Sequence, residues 1–152
     1  MSALVVGAGI MGAGIAQVVA QAGGDVHMVD VDAGALDAAC ARIQRHLERL
    51  GEKGRLADDA EVILGRITTA VDRATSGAPF PVDRRPDVAI ETVVEDLTIK
   101  RDVLERIEAT CRDGALIGSN TSSIPITELG REMRAPGRLV GLRGDGAARL
   151  AS

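Results

Sequence analysis

The sequence predicts a doubly wound α/β fold, a single domain in which helices cover both faces of a parallel sheet. Short apolar runs, typical of strands buried on both faces, alternate with longer segments that place apolar residues at helical spacing. Strands separated by helices form parallel sheets, because a crossover between parallel strands needs a helix-length connection. A chain of 152 residues is also long enough to bury one hydrophobic core.

Six strands are expected, at 4–6, 26–29, 67–71, 87–90, 115–118 and 139–142. Helices are expected at 10–20, from the capping residue Asp32 to Gly51 and Gly54, at 57–64 and at 97–111. The Gly, Pro, Ser and Arg residues at 75–86 indicate a surface loop. We assign 1–142 to the domain and 143–152 to a divergent tail.

Composition and charge argue against several classes of partner. A net charge of −4 argues against nucleic acid. No apolar run approaches the roughly 20 residues that span a bilayer. The first residues lead into a strand pattern without a basic segment, so we expect no signal peptide. The sequence therefore predicts a cytoplasmic protein that has neither nucleic acid nor membrane as a partner.

A glycine motif lies where the first strand meets the first helix. Its glycines allow a tight turn, close approach of a pyrophosphate and close packing of helix on strand. Asp30 follows Gly12 by 18 residues, at a strand end where a carboxylate would meet the ribose hydroxyls of an adenosine. The predicted Rossmann-type dinucleotide site consists of Gly7, Ala8, Gly9, Ile10, Met11, Gly12 and Asp30.

Asp30 also bears on the choice of cofactor. Its carboxylate would repel a 2′-phosphate, and no arginine follows it closely. We therefore expect NAD rather than NADP as the cofactor, and no metal.

Three segments have a more distinctive sequence: GAGIMGAGIAQ at 7–17, ETVVEDLTIK at 91–100 and SNTSSIPIT at 119–127. Together, and in their spacing, they resemble 3-hydroxyacyl-CoA dehydrogenases, including the bacterial 3-hydroxybutyryl-CoA dehydrogenases. The similarity runs from about residue 4 to residue 142. The resemblance implies an oxidoreductase of fatty acid metabolism that uses NAD to oxidise a (3S)-3-hydroxyacyl thioester to the 3-oxoacyl form.

The resemblance also implies roles for four further residues. Glu95 and Lys100 would contact the ribose and nicotinamide side of NAD; apart from the family, they indicate a solvated charge pair at a strand-to-helix turn. Asn120 and Ser122 follow the fifth strand, at the edge where open α/β sheets bind ligands. Ser122 matches the family's catalytic serine, which contacts the reacting oxygen of the substrate; a helix cap is the structural alternative.

A basic face on the long second helix is a candidate substrate contact. Arg42, His46, Arg49 and Lys53 share that face at 100° per residue. Family members hold coenzyme A with this helix, so we assign His46, Arg49 and Lys53 to the acyl-CoA substrate; a solvated face is an equal alternative. His46 replaces a serine often found there, and Gly51 interrupts the helix pattern before Lys53.

The similarity ends where the family has its catalytic histidine. Family members continue with Gly-Leu-His-Phe-Phe-Asn-Pro after the sixth strand, whereas Arg143 occupies the histidine position here. An arginine cannot act as a general base, because its guanidinium stays protonated. The helical C-terminal domain has no counterpart either. We therefore expect a truncated enzyme that is inactive alone, through a natural truncation or a frameshift.

Other functions are compatible with the same residues. The domain could bind NAD without catalysis, or belong to a dehydrogenase whose substrate is held by an acyl carrier protein. Dehydrogenases of 6-phosphogluconate or hydroxyisobutyrate share a similar glycine turn, but the segment at 119–123 argues against them. The missing C-terminal domain could come from another chain. Acyl chain length and oligomeric state are not specified by these residues.

Overall fold

A computed structural model of the chain describes residues 1–74, 77–142 and 148–150. It shows a seven-stranded sheet with helices on both faces, in the strand order β3-β2-β1-β4-β5-β6-β7. The elements are β1 (Ser2–Val6), α1 (Ile10–Gln21), β2 (Asp25–Asp30), α2 (Ala33–Glu52), α3 (Ala60–Leu64), β3 (Ile67–Val71), β4 (Val88–Glu91), α4 (Leu97–Thr110), β5 (Leu116–Asn120), α5 (Ile126–Gly130), β6 (Leu139–Leu142) and β7 (Ala148–Leu150).

The sheet is parallel from β3 to β6, and β7 is antiparallel to β6. Strand β1 is the third strand in this order and pairs with both β2 and β4. The chain order reverses between β1 and β4, and in open α/β sheets the crevice at such a reversal is where ligands bind. The topology therefore places the candidate site at the carboxyl ends of β1, β2 and β4.

The two faces of the sheet form two apolar clusters, because successive side chains of a strand point to opposite faces. Leu4 and Val6 of β1 pack with Leu104 and Ile107 of α4. Val5 packs on the opposite face, in a cluster that includes residues of α1 and α2: Ala13, Ala16, Leu36, Ala39, Ile43 and Leu47. With helices on both faces of a parallel sheet, the predicted doubly wound fold is confirmed.

The predicted elements agree with the structure except at several boundaries. Helix α2 continues through Gly51 to Glu52, and the chain turns at Gly54, whose φ is +66°. Helix α3 begins at Ala60 rather than at 57: the backbone of its N-cap residue Asp59 is extended, and Asp58 pairs with Arg66 at 2.7 Å outside the helix. Helix α5 and strand β7 were not predicted.

Part of the predicted loop and tail lies outside the described residues. This applies to 75–76 of the loop at 75–86, and to Arg143 and most of the tail at 143–152. The described backbone of the tail is that of β7. Among the described residues, no helix is both long and apolar enough to cross a membrane.

A buried ion pair joins the segment after β3 to α4. The guanidinium of Arg106 donates two hydrogen bonds of 2.8 Å to the carboxylate of Asp72. Both side chains are only 6% exposed. The bonds from Arg106 hold the pKa of Asp72 below its ordinary value, against the opposing effect of burial. The segment that follows β3 is thereby tied to the helix that covers the same face of the sheet.

We expect the substitution Asp72→Asn to destabilise the fold in a way that depends on pH. At neutral pH the loss should be about 3 kcal/mol, because Arg106 stays buried without its counter-ion. The lowered pKa of Asp72 means that the ion pair stabilises the fold above the ordinary value of 3.8. That stability is lost as the pH falls through the lowered pKa, so the two proteins should converge. Urea unfolding at a series of pH values measures this.

The matched control is Asp113→Asn. Its carboxylate is fully exposed, and its oxygen lies 3.8 Å from the guanidinium of Arg85. This variant should follow the parent protein at every pH. A difference between parent and Asp72→Asn that does not change with pH would contradict the assignment.

Candidate nucleotide-binding site

The turn between β1 and α1 begins at a position that requires glycine. Gly7 has a φ of +104°, in a region that L side chains rarely adopt. A Cβ atom there would also lie 2.5 Å from Oγ1 of Thr92. The amide of Gly7 donates to the carbonyl of Val29 at 2.8 Å, so the turn is tied to the end of β2.

Gly12 allows α1 to approach this turn. A Cβ atom on Gly12 would lie 1.9 Å from the carbonyl oxygen of Gly7, far inside any permitted contact. The hydroxyl of Thr92 donates to the carbonyls of Val6 and Gly7 at 3.0 and 3.2 Å, which links the turn to the end of β4. Gly7 and Gly12 are therefore demanded by the packing of the protein itself.

Gly9 differs from these two glycines because the space beside it is open. A Cβ atom on Gly9 would meet none of the described atoms within 4 Å. Gly9 is the N-cap residue of α1, no described side chain caps the helix, and its first turn has no acidic residue. The first amides of a helix lack internal acceptors and favour an anion. The open space at Gly9, Ile10 and Met11 therefore fits a pyrophosphate.

Asp30 lies beside this turn, at the carboxyl end of β2. Its Oδ2 accepts a hydrogen bond of 2.8 Å from the amide of Ala8, and its Oδ1 accepts one of 2.9 Å from the amide of Asp32. These bonds fix the carboxylate at the edge of the crevice. Each oxygen keeps a further lone pair with which it can accept a bond from a ribose hydroxyl.

A cavity of about 520 Å³ extends along the crevice. This volume lies in the range of small-molecule and cofactor sites. Its walls include the glycine turn, Asp30 and the inner side of α4. Several apolar residues of the wall are exposed in this chain, as expected for a surface that packs against a ligand: Val31, Val94 and Ile99.

Lys100 lies beneath this crevice and is fully buried. Its Nζ donates to the two carboxylate oxygens of Glu91 at 2.8 and 2.9 Å, and contacts the carbonyls of Val93 and Asn120 at 3.2 and 3.0 Å. Ser119 donates a short hydrogen bond to the same carboxylate. The alternative of a solvated Glu95–Lys100 pair is therefore wrong for Lys100, because α4 turns this residue towards the sheet.

Glu95 instead joins the two loops at the end of the sheet. Its carboxylate accepts bonds from the hydroxyl of Thr121 and from both the amide and the hydroxyl of Ser122, the latter two at 3.1 and 3.2 Å. Partial burial raises the pKa of Glu95, but these bonds and the charge of Lys100 outweigh it and lower the pKa. Glu95 is therefore an anion that orients the hydroxyl of Ser122.

Ser122 is exposed at the carboxyl end of the sheet, and Asn120 immediately precedes this loop at the end of β5. A second cavity of about 290 Å³ is lined by Ser122, Ile124 and Gly141, among others. Gly141 belongs to β6, the strand after which Arg143 follows. The structure thus brings the predicted Glu95 and Ser122 together, at the end of the strand that precedes the predicted catalytic position.

The predicted basic face lies elsewhere, on α2. Arg42, His46, Arg49 and Lys53 are all exposed. Nδ1 of His46 lies 3.0 Å from Oε1 of Gln17, so this imidazole also fastens α2 to α1. Lys53 is the C-cap residue of α2, and the helix is not broken before it.

Sequence reasoning missed Thr92, Glu91 and the Asp72–Arg106 pair as parts of the site. Glu91 could have been found through its partner Lys100. Lys100 lies three residues after Leu97 and three before Val103, so it is on the apolar side of α4 and needs a buried counter-ion. No comparable signal marks Asp72 and Arg106, which are 34 residues apart.

The fold and this crevice define a dinucleotide-binding domain of the doubly wound class. The sequence profile of the family "3-hydroxyacyl-CoA dehydrogenase, NAD binding domain" matches residues 2–143. The chain belongs to this family, whose cofactor is NAD.

Known proteins of the family cover this chain but extend well beyond it. A probable 3-hydroxybutyryl-CoA dehydrogenase of Deinococcus radiodurans is 38% identical over 138 residues, which are 91% of this chain and 47% of that protein. The crystal structure of 3-hydroxybutyryl-CoA dehydrogenase from Escherichia coli K12 matches with a TM-score of 0.80 and 33% identity, over 94% of this chain and 29% of that one. The (S)-3-hydroxybutyryl-CoA dehydrogenase of Ralstonia eutropha matches with a TM-score of 0.78 and 32% identity, over 93% and 48% of the two chains. The chain spans about half the length of the curated relatives it matches.

Three substitutions should show which glycines at the start of α1 serve the fold and which serve nucleotide binding. Gly12→Ala should destabilise the fold by about 2–3 kcal/mol, because its Cβ overlaps the carbonyl of Gly7. Gly9→Ala should cost the fold at most about 1 kcal/mol, since alanine is a poorer N-cap residue than glycine, and should weaken nucleotide binding, because its Cβ enters the open crevice. Gly14→Ala, which also meets no described atom within 4 Å, should leave nucleotide binding unchanged and stabilise the fold by about 0.5–1 kcal/mol, because it lies exposed inside α1. Urea unfolding and calorimetric titration with NAD measure the two effects.

Proposed function

We propose that this chain is the nucleotide-binding part of an enzyme that oxidises a (3S)-3-hydroxyacyl thioester to the 3-oxoacyl form with NAD. The observation that supports it best is the open cradle at Gly9, bounded by the amides of α1 on one side and by the carboxylate of Asp30 on the other. NAD, when bound, supplies the acceptor for the hydride. The following roles concern what the residues of the chain would do.

The chain would hold the ADP half of the cofactor at the carboxyl end of β1 and β2. The first amides of α1 would bind the pyrophosphate at Ile10, Met11 and Gly12. The carboxylate of Asp30 would accept hydrogen bonds from the adenosine ribose. The turn residue Ala8 contributes by donating its amide to Asp30 and so fixing that carboxylate.

The nicotinamide half would lie towards Glu95, Asn120 and Ser122. The hydroxyl of Ser122 donates its proton to Glu95, so its oxygen would accept a hydrogen bond from the hydroxyl of the substrate. The ammonium of Lys100 is already surrounded by four acceptors, so we propose that it supports the cofactor by fixing the carbonyls of Val93 and Asn120.

The base that must remove the hydroxyl proton would be expected at position 143. Arg143 occupies the position at which the resembling family has its histidine, and a guanidinium has no lone pair to accept a proton. We therefore propose that residues 1–152 alone bind NAD without turnover. A non-catalytic NAD-binding module is the alternative function, and a substrate bound to an acyl carrier protein is the alternative substrate.

The exposed basic face of α2 would meet the phosphates of coenzyme A. Arg49 and Lys53 are exposed, one turn apart at the end of the helix, and His46 precedes them on the same face. Cationic side chains in this arrangement favour phosphate groups.

Calorimetric titration with NAD and NADP tests the proposed cofactor site. NAD should bind at least about tenfold more tightly, because Asp30 accepts the ribose hydroxyls and repels a 2′-phosphate. Asp30→Ser should lose most of this preference by weakening NAD binding. The matched control is Asp32→Ser, which removes a neighbouring charge but keeps a side chain able to cap α2. Equal or tighter binding of NADP by the parent protein would refute the role of Asp30.

The coenzyme A surface is tested by the double variant Arg49→Ala/Lys53→Ala. It should bind free coenzyme A more weakly than the parent, and its binding should depend less on salt, because two charge contacts are lost. The charge-matched control is Arg84→Ala/Arg134→Ala, both exposed and outside α2. If both double variants bind coenzyme A alike at low salt, the basic face is only a solvated surface.

A further inference from the structure

An arginine and the single phenylalanine of the chain form part of the crevice wall. Arg106 and Phe80 both line the cavity of about 520 Å³ that begins at the glycine turn. They are 5% and 4% exposed, and Cζ of Arg106 lies 4.0 Å from the centroid of the Phe80 ring. This distance is that of a favourable cation–π contact. The ring is therefore fixed against a charged group rather than packed only among aliphatic side chains.

The same arginine holds the backbone that positions this ring. Besides its two bonds to Asp72, Arg106 donates from Nε to the carbonyl of Ala78 at 2.6 Å. One turn further along α4, the hydroxyl of Thr110 accepts a bond of 2.8 Å from the amide of Phe80. Phe80 is thus held on both its ring and its backbone by consecutive turns of one helix.

The rest of this wall is mostly apolar, apart from Asp72 and Asp102, and its apolar part suits a flat base. Val31 extends from the end of β2 next to Asp30, and Ile99 and Val103 line the cavity from α4. If the ribose binds at Asp30 and the pyrophosphate at α1, the part of the dinucleotide left to fill this apolar region is adenine. This step rests on the proposed NAD site.

We propose that Arg106 is a positioning residue for the adenine base, acting through Phe80. By fixing Asp72, Ala78 and the ring, it places a rigid apolar surface where the second ring of a purine packs. Arg106 needs no hydrogen bond of its own to the nucleotide. A pyrimidine in the same place would bury less apolar area against this surface and would bind more weakly.

A comparison of ADP with UDP tests this, because the two ligands share ribose and diphosphate and differ in the base. The parent protein should bind ADP about tenfold or more tightly than UDP in calorimetric titrations. Arg106→Lys keeps the charge but loses the paired bonds to Asp72, so the preference should fall to about threefold or less. If Arg106 only stabilises the fold, Arg106→Lys should bind both ADP and UDP more weakly by the same factor, and the ratio of the two affinities should not change.

The control variant lies on the same helix. Like Arg106, Arg101 donates to a backbone carbonyl: two of its guanidinium nitrogens lie 3.2 and 2.9 Å from the carbonyl oxygen of Glu128. Arg101 does not line this cavity. Arg101→Lys should therefore keep the preference for ADP. If Arg106→Lys keeps the parent ratio as Arg101→Lys does, Arg106 does not position the base.

A measurement on the parent protein alone guards against a variant that fails to fold. Phe80 is the single phenyl or indole ring of the chain, so its NMR ring signals need no assignment against other aromatic residues except two histidines. ADP should shift these signals and show nuclear Overhauser contacts from them to adenine protons. Saturation with ADP without either effect would overturn the proposal. If the parent protein binds neither NAD nor ADP, the proposed nucleotide site itself is refuted. If it binds NAD but has equal affinities for ADP and UDP, only the proposed role of Arg106 is refuted.

Discussion

One buried ammonium group fixes the relative positions of the loops that surround the crevice. Nζ of Lys100 on α4 contacts Glu91 of β4, the carbonyl of Val93 after β4 and the carbonyl of Asn120 at the end of β5. Neither side chain of the Lys100–Glu91 pair is exposed. A buried pair of charges is tolerated only when its hydrogen bonds are satisfied, and removing one partner typically costs about 3–5 kcal/mol. The loops that bear Glu95 and Ser122 therefore hold their spacing because they share this one cation.

The described residues enclose the two ends of the crevice to different degrees. On the side of the glycine turn, Phe80 and Arg106 are buried, and the cavity has walls from β1, β2, the segment after β4 and α4. On the other side, Glu95 and Ser122 are exposed, and a smaller cavity opens beside β6. If the proposed function is correct, the domain recognises its nucleotide mainly through the ADP half.

The parts of the site that sequence analysis predicted are those that depend on neighbouring residues. Gly7, Gly9 and Gly12 act within one turn, and Asp30 ends the next strand, so their spacing alone indicated a nucleotide site. The burial of Lys100 depends on which side of α4 faces the sheet. Because a lysine is usually exposed, its position among the apolar residues of α4 was not interpreted as buried. Strand β7 pairs with β6 through backbone hydrogen bonds, and its three residues alone carry no pattern that predicts a strand. The burial of the Asp72–Arg106 pair is set by tertiary packing, which no local pattern reports.

The different surroundings of Gly9 and Gly12 have a consequence for how such domains diverge. Gly12 is constrained by the carbonyl of Gly7, so any descendant that folds this way must keep it whether or not it binds a nucleotide. Gly9 is constrained by no described atom of the protein, so only a ligand preserves it. A lineage that abandoned its cofactor would therefore lose the middle glycine first and retain the outer two. The residue at position 9 would therefore indicate whether such a domain still binds a nucleotide, and the residue at position 12 whether it keeps this fold.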